Sequence, residues 1–254
     1  MLWTTLWAYP VVFLTGLAAG LIDSIAGGGG LISLPILLAS GMPVPLALGT
    51  NKLQASVGSF SAAFHYSRHG VVSLRDARLG IVMTAIGALL GTFAVVRIAP
   101  DVLRFIVPFL LIGAAVYMFF LPERGFQGGH RRMGPILFYV ALGILLGFYD
   151  GFFGPGVGSF WALAFVGLLG FDLTRATGYT KVMNCTSNVV SFLGFLMAGD
   201  VLFTVGLTMA AGQILGAQFG SRFVIDHGAR VIRPVFIVVA VLTTAKILSN
   251  VLLP

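Results

Sequence analysis

The sequence predicts an all-α polytopic membrane protein built from two inverted-topology repeats of five helical segments each, with a short broken or re-entrant segment in each half. Composition, the spacing of apolar stretches and an internal repeat carry that expectation. Over 254 residues, hydrophobic residues make up 58% and charged residues 9%, against roughly 25% charged in a soluble domain. Eight acids and 15 Lys and Arg cannot cover a soluble surface around so much apolar chain. A disordered chain would be poor in apolar residues. The net charge of +7 does not point to nucleic acid, because the basic residues stand singly at the ends of apolar stretches.

Apolar segments fall at about 6–26, 31–40, 45–66, 79–97 and 102–121, and again at about 135–153, 158–170, 174–197, 201–224 and 231–252. Most approach the roughly 20 residues that cross a bilayer as a helix. The second segment of each half is about half that length and follows a Gly-rich break. The polar stretch 123–133 joins a first repeat, 1–122, to a second, 134–254, within one integrated membrane domain. The N-terminus has no basic region ahead of its apolar run, so the first segment is expected to be retained, with Trp3 and Trp7 as interfacial anchors.

The chain repeats itself. At a shift of 127, Gly16, Gly20, Asp23 and Gly27 fall on Gly143, Gly147, Asp150 and Gly154. At a shift of 129, Gly49, Lys52, Gly87, Gly91 and Arg104 fall on Gly178, Lys181, Gly216, Gly220 and Arg233. Five segments per copy is an odd number, so the second copy should insert upside down. With the 123–133 joint in the cytoplasm, as the excess of arginine on that side requires, ten arginines lie inside and only Arg97 and Arg104 outside. Both termini are then expected outside, in the periplasm of a bacterial inner membrane.

Short, glycine-interrupted segments at matching places in two repeats point to a transporter binding site. Here they are Asp23-Ser-Ile-Ala-Gly27-Gly28-Gly29-Gly30 and Asp150-Gly-Phe-Phe-Gly154-Pro-Gly156. Glycines end one helix and start another, whose first amides and positive dipole end suit an anion. The bland alternative is that these glycines serve close helix packing.

The third segment of each half carries the polar side chains: Asn51, Lys52, Gln54, Ser56 and Ser59 against Thr180, Lys181, Asn184, Cys185, Thr186, Ser187 and Asn188. Lys52 lies about 10 Å along a helix from Pro45, deep enough to need a partner unless it snorkels. With Lys181 at a matching depth, the two lysines could flank one anion, the amides completing its hydrogen bonds. Those amides could equally bond helix to helix. Asp23 and Asp150 could balance the lysines, carry the coupling ion (H+ or Na+) of an alternative importer of a different small anion, or cap the broken helices. Gln213 and Gln218 are weaker candidates for lining the route. Cys185 reads as a small packed residue.

No metal or cofactor is expected, and without a GxxxxGK[ST] loop direct use of ATP is not expected either. A serine hydrolase on Ser59 or Ser159 would need a base in reach, and His65 lies on the opposite helix face from Ser59. An anion-binding subunit that moves nothing is a further alternative, though no signalling domain is apparent.

The blocks GLIDSIAGGGGLISLP with GTNKLQAS, and GFYDGFFGPGVGSF with GYTKVMNCTSN, resemble the TauE/SafE sulfite-exporter family from about Val11 to Val251. The resemblance implies a bacterial inner-membrane permease, not an enzyme, moving sulfite or an organosulfonate such as sulfoacetate, usually outward. Its partners would be that sulfur anion and the lipid bilayer; the oligomeric state stays open, a homodimer among the options. Thr180 stands where the first half has Asn51, and Met183 where it has Gln54, so the implied site is asymmetric.

Overall fold

The structure is a computed structural model that describes residues 8–119 and 129–227. Those residues form helices α1 (Ala8–Ala26), α2 (Gly30–Ala39), α3 (Val44–Arg68), α4 (Leu74–Val95), α5 (Pro100–Phe119), α6 (Pro135–Phe152), α7 (Val157–Leu169), α8 (Leu173–Ala198) and α9 (Phe203–His227), and no strand. Three of them, over Tyr9–Ala26, Leu74–Val95 and Pro135–Phe152, are long and apolar enough to cross a membrane. At 10 and 13 residues, α2 and α7 reach about 15 and 20 Å, short of a hydrocarbon core of about 30 Å. The tenth expected segment, 231–252, lies outside the described residues, as do Trp3, Trp7, Arg124, Arg230 and Arg233.

Local chemistry sets most helix ends. Asp172 caps α8 by accepting from the Arg175 amide at 2.9 Å, and Gly170 and Gly199 close α7 and α8 in the left-handed conformation. α4 begins five residues before the expected segment at 79. Ser73 caps it, accepting from the Asp76 amide, and its first turn carries Arg75, Asp76 and Arg78, which a hydrophobic criterion passes over.

α3 and α8 form the centre of the molecule. They pack on each other, and around them stand α1, α2, α5 and α9 on one side and α4, α6 and α7 on the other. This explains why the two most polar long helices are the most enclosed: Lys52 and Lys181 are 1% and 0% exposed. The outer surface is apolar instead, with Leu14, Leu89, Phe93, Phe109, Leu137 and Phe219 exposed, as lipid contact requires.

Two further interfaces are extensive, α1 on α9 and α4 on α6. In both, glycine replaces a side chain where backbones meet. A Cβ at Gly216 would collide with the Leu17 carbonyl, and one at Gly87 with the Ile144 carbonyl; Gly91 meets the Phe148 carbonyl and Gly220 the side chain of Ser24 and the Leu21 carbonyl. Such approach lets dispersion act between helices that lipid would solvate equally well. Gly216→Ala should lower stability by about 1–3 kcal/mol, read as a fall in the unfolding midpoint in detergent. Gly167→Ala, where a Cβ meets nothing within 4 Å, should leave it unchanged or raise it by about 0.5–1 kcal/mol.

Candidate functional site

The two breaks meet at the centre of the molecule. α1 ends at Ala26 and α6 at Phe152, and the next helices start after turns at Gly27 (φ +78°) and Gly154 (φ +102°). Both values are left-handed backbone that side chains rarely adopt. Neither glycine tolerates a Cβ for a second reason. At Gly27 it would lie 2.6 Å from the Gly158 Cα, and at Gly154 it would lie 2.7 Å from Asp150 Oδ1 and 2.8 Å from Lys52 Nζ. The start of α7 also meets the end of α1 through Ser159 Oγ, which donates to the Ala26 carbonyl at 3.3 Å.

Each buried lysine pairs with the aspartate from the other half of the chain. Lys52 Nζ donates to Asp150 Oδ1 at 2.6 Å and to Asn188 Oδ1 at 3.0 Å. Lys181 Nζ donates to Asp23 Oδ2 at 3.1 Å and to the Asp23 main-chain carbonyl. Snorkelling is therefore not what these lysines do. Neither α2 nor α7 has a side-chain cap, so the aspartates hold cations rather than capping those helices. The other Asp150 oxygen accepts from Ser187 Oγ.

Around Lys52 and Asp150 lies a cavity of about 30 Å³, room for about one water-sized group. It gathers Gly27, Gly30, Gly154 and Gly156 from the breaks, Asp23 from α1, Asn51 and Gln54 from α3, and Asn184 and Asn188 from α8. Five of the sequence candidates do not line it, among them Gln218, which is exposed on α9. Gly28 and Gly29 sit to the side, where a Cβ on Gly29 would strike Asp23 Cβ and the Ala19 carbonyl. Thr180 is buried with its hydroxyl unpartnered, and Lys181 lies behind Asp23, bonded to the end of α1. The lysines are thus unequal: Lys52 lines the cavity and Lys181 braces it. The amides of Leu31 and Val157 turn back onto the Gly28 and Gly154 carbonyls at 3.0 and 3.1 Å.

Of three further contributors, Ser33 was not singled out from sequence, Ser187 was named only among the polar residues of its segment, and Gln213 only as a weak candidate for lining the route. Ser33, on α2, donates to Asn51 Oδ1 at 2.6 Å, and the same oxygen accepts from Gln54 Nε2 at 2.8 Å. Ser187 lies three residues beyond Asn184, on the same face of α8, and that spacing was a usable signal. Gln213, raised only weakly, lines the cavity from α9. The serine candidates are otherwise engaged: Ser59 donates to the Ala55 carbonyl at 2.6 Å. Cys185 is free and half-buried.

A buried charge stripped of its partner costs about 3–5 kcal/mol. Asp150→Asn should therefore lower the unfolding free energy by that order, and Lys52→Met in the same chain should recover most of the loss. A double variant no more stable than Asp150→Asn would show that the pair's charges are not what matters.

Comparison with known proteins agrees with this architecture. The sequence model of the sulfite exporter TauE/SafE family matches residues 12–247. The chain is similar to the "Probable membrane transporter protein YfcA" of Escherichia coli K12, 47% identical over 240 residues, covering 94% of this chain and 89% of that one. It is 44% identical to a "Probable membrane transporter protein" of Haemophilus influenzae, with 94% of each chain covered. Bacillus subtilis YdhB, named in the same way, is 25% identical over 84% of this chain and 87% of its own. No solved structure matches. With its family's pattern present across almost its whole length, the chain belongs to the sulfite exporter TauE/SafE family of membrane transporters.

Proposed function

We propose that the protein exports a small sulfur-containing anion, sulfite or an organosulfonate such as sulfoacetate, by alternating access around the cavity between the two broken helices. The carrying observation is the Lys52–Asp150 pair at 2.6 Å, buried at the edge of that cavity. A lysine held by a carboxylate is already bound to an anion, so a cargo anion enters by exchange with Asp150 and leaves by the reverse. No bare ammonium then stands in a low-dielectric interior at either end of the cycle. The proposed binding residues are Gly27, Gly30, Gly154 and Gly156 at the breaks, with Asn51, Lys52, Gln54, Asn184 and Asn188. Lys181 and Thr180 support them from behind.

The two-repeat organisation, with residues 1–122 against 134–254 and opposite topology, belongs to the same proposal. Its support is an exchange of contacts. Gly87 meets Ile144 as Gly216 meets Leu17, and Gly91 meets Phe148 as Gly220 meets Leu21, each related by the 127 and 129 shifts. The ion pairs exchange likewise. Such a pair of halves can present one site to either side by rocking. A cavity of about 30 Å³ is smaller than a sulfur oxyanion, so α2 and α7 must shift to admit it. Both termini then lie outside, and outward movement of an anion gains about 2.3 kcal/mol per charge per 100 mV of inside-negative potential. Asp23 and Asp150 also favour a second reading, in which a proton or sodium ion takes the place of the lysine when cargo binds.

Radiolabelled sulfite flux in proteoliposomes tests the proposal. Flux driven by imposed potential and lost in Lys52→Ala is expected. Flux that requires a proton or sodium gradient favours the coupled reading, and undiminished flux in Lys52→Ala overturns the assignment of Lys52.

A further inference from the structure

The cavity is unlike on its two sides, and Gln213 is the reason. In the second half, Ser187 steadies Asp150 through its hydroxyl. At the matched place in the first half, 129 residues earlier, stands Gly58. The space that this glycine opens is filled from α9 by Gln213: a Cβ at Gly58 would lie 2.5 Å from its Nε2 and 2.6 Å from its Cδ. Gly20 makes room from α1, since a Cβ there would meet Gln213 Cα at 2.8 Å and Cγ at 2.9 Å. Gln213 is 2% exposed, lines the cavity, and its Oε1 has no partner. Thr84, matched to it on α4, has its hydroxyl engaged by Met183 Sδ at 3.4 Å and does not line the cavity.

Gln213 is not alone. Gln54 Oε1 and Asn184 Oδ1, from the same cavity, also lack partners. The Gln54 amide is oriented by its neighbours, because its nitrogen donates to Asn51 Oδ1, leaving its oxygen as the unused atom. Buried polar atoms are almost always paired, so unpaired ones that line a cavity are available to a group bound there. All three unused atoms are acceptors. The charged groups at the site, Lys52 and Lys181 against Asp150 and Asp23, sum to zero, which disfavours a dianion over a monoanion.

We infer that the cargo is a monoanion that also carries a hydrogen-bond donor, its anionic oxygens meeting Lys52 and its donor meeting the amide oxygens of Gln213, Gln54 and Asn184. This rests on the transport reading for the site and deepens it: an acid oxyanion or a hydroxysulfonate fits, and a plain alkylsulfonate or the dianion sulfoacetate fits less well. Gln213 is the residue that sets this preference, because α9 contributes no other side chain to the cavity.

Ethanesulfonate and isethionate, which differ by one hydroxyl, are the probes. Their binding to the full chain in detergent is read from ligand-dependent shifts of thermal unfolding, which need no flux. The wild type should bind isethionate about tenfold more tightly. Gln213→Met, which keeps the side-chain length against Gly58 and Gly20, should shrink the ratio to within about twofold, and Thr84→Val should leave it intact. Equal binding in the wild type, or binding of neither probe, overturns the inference. A preference that survives Gln213→Met overturns the role of Gln213. Preferential binding of isethionate without flux in vesicles would sustain this inference while overturning the transport reading.

Discussion

The cost of placing a charge inside a membrane protein governs this structure. Lys52 and Lys181 are among its most enclosed side chains, and an ammonium so placed persists only with an anion against it. Each finds one, and each finds it on the other half of the chain. The remaining hydrogen bonds at the centre follow: Asn188 takes a second proton of Lys52, Ser187 takes the free oxygen of Asp150, and the Asp23 main chain takes Lys181. A lysine at the last turn of α1 also suits the negative end of that helix. Lys52 and Asp150 both line the cavity, whereas Lys181 lies behind Asp23 and bonds the end of α1.

Glycine is the second requirement, because the charges meet only if the backbones come close. The bare Cα of Gly154 leaves the gap through which Lys52 reaches Asp150. Gly27 and Gly158 lie back to back, so the ends of α1 and α7 touch without side chains between them. Small residues along α1, α4, α6 and α9 draw the flanking helices in to the same degree. Packing and function are therefore not separable at these positions, and reading such glycines as either structural or functional sets up a false choice.

Much of this was legible in the residues. Segment lengths, the short α2 and α7 and the two breaks follow from hydropathy and glycine placement, and each described helix lies within a few residues of its expected span. Errors came where local chemistry outranks hydropathy, as at the start of α4, which Ser73 caps ahead of three charged residues. The site was only half legible. That Lys52, Lys181, Asp23 and Asp150 belong together follows from the cost of burying any of them alone. Which lysine pairs with which aspartate does not, because the choice depends on how α3 and α8 cross. Nor did the repeat foretell that Lys181 would sit behind the cavity. Gln213 was legible only as a weak candidate, because its place in the cavity depends on the absence of a side chain at Gly58, on a different helix.

The cross-half pairing has a consequence for how the chain is made. Lys52 precedes its partner Asp150 by 98 residues, and Asp23 precedes Lys181 by 158. At about 5–20 residues per second, each waits on the order of several seconds or more after synthesis for its counter-ion. During that interval the N-terminal half holds a cation and an anion whose final partners do not yet exist. α3 cannot settle into the hydrocarbon at its final depth until α6 arrives, and α1 cannot close its last turn until α8 does. The first helices to be born thus wait on later ones, and the two buried pairs can both form only once α8 has been made.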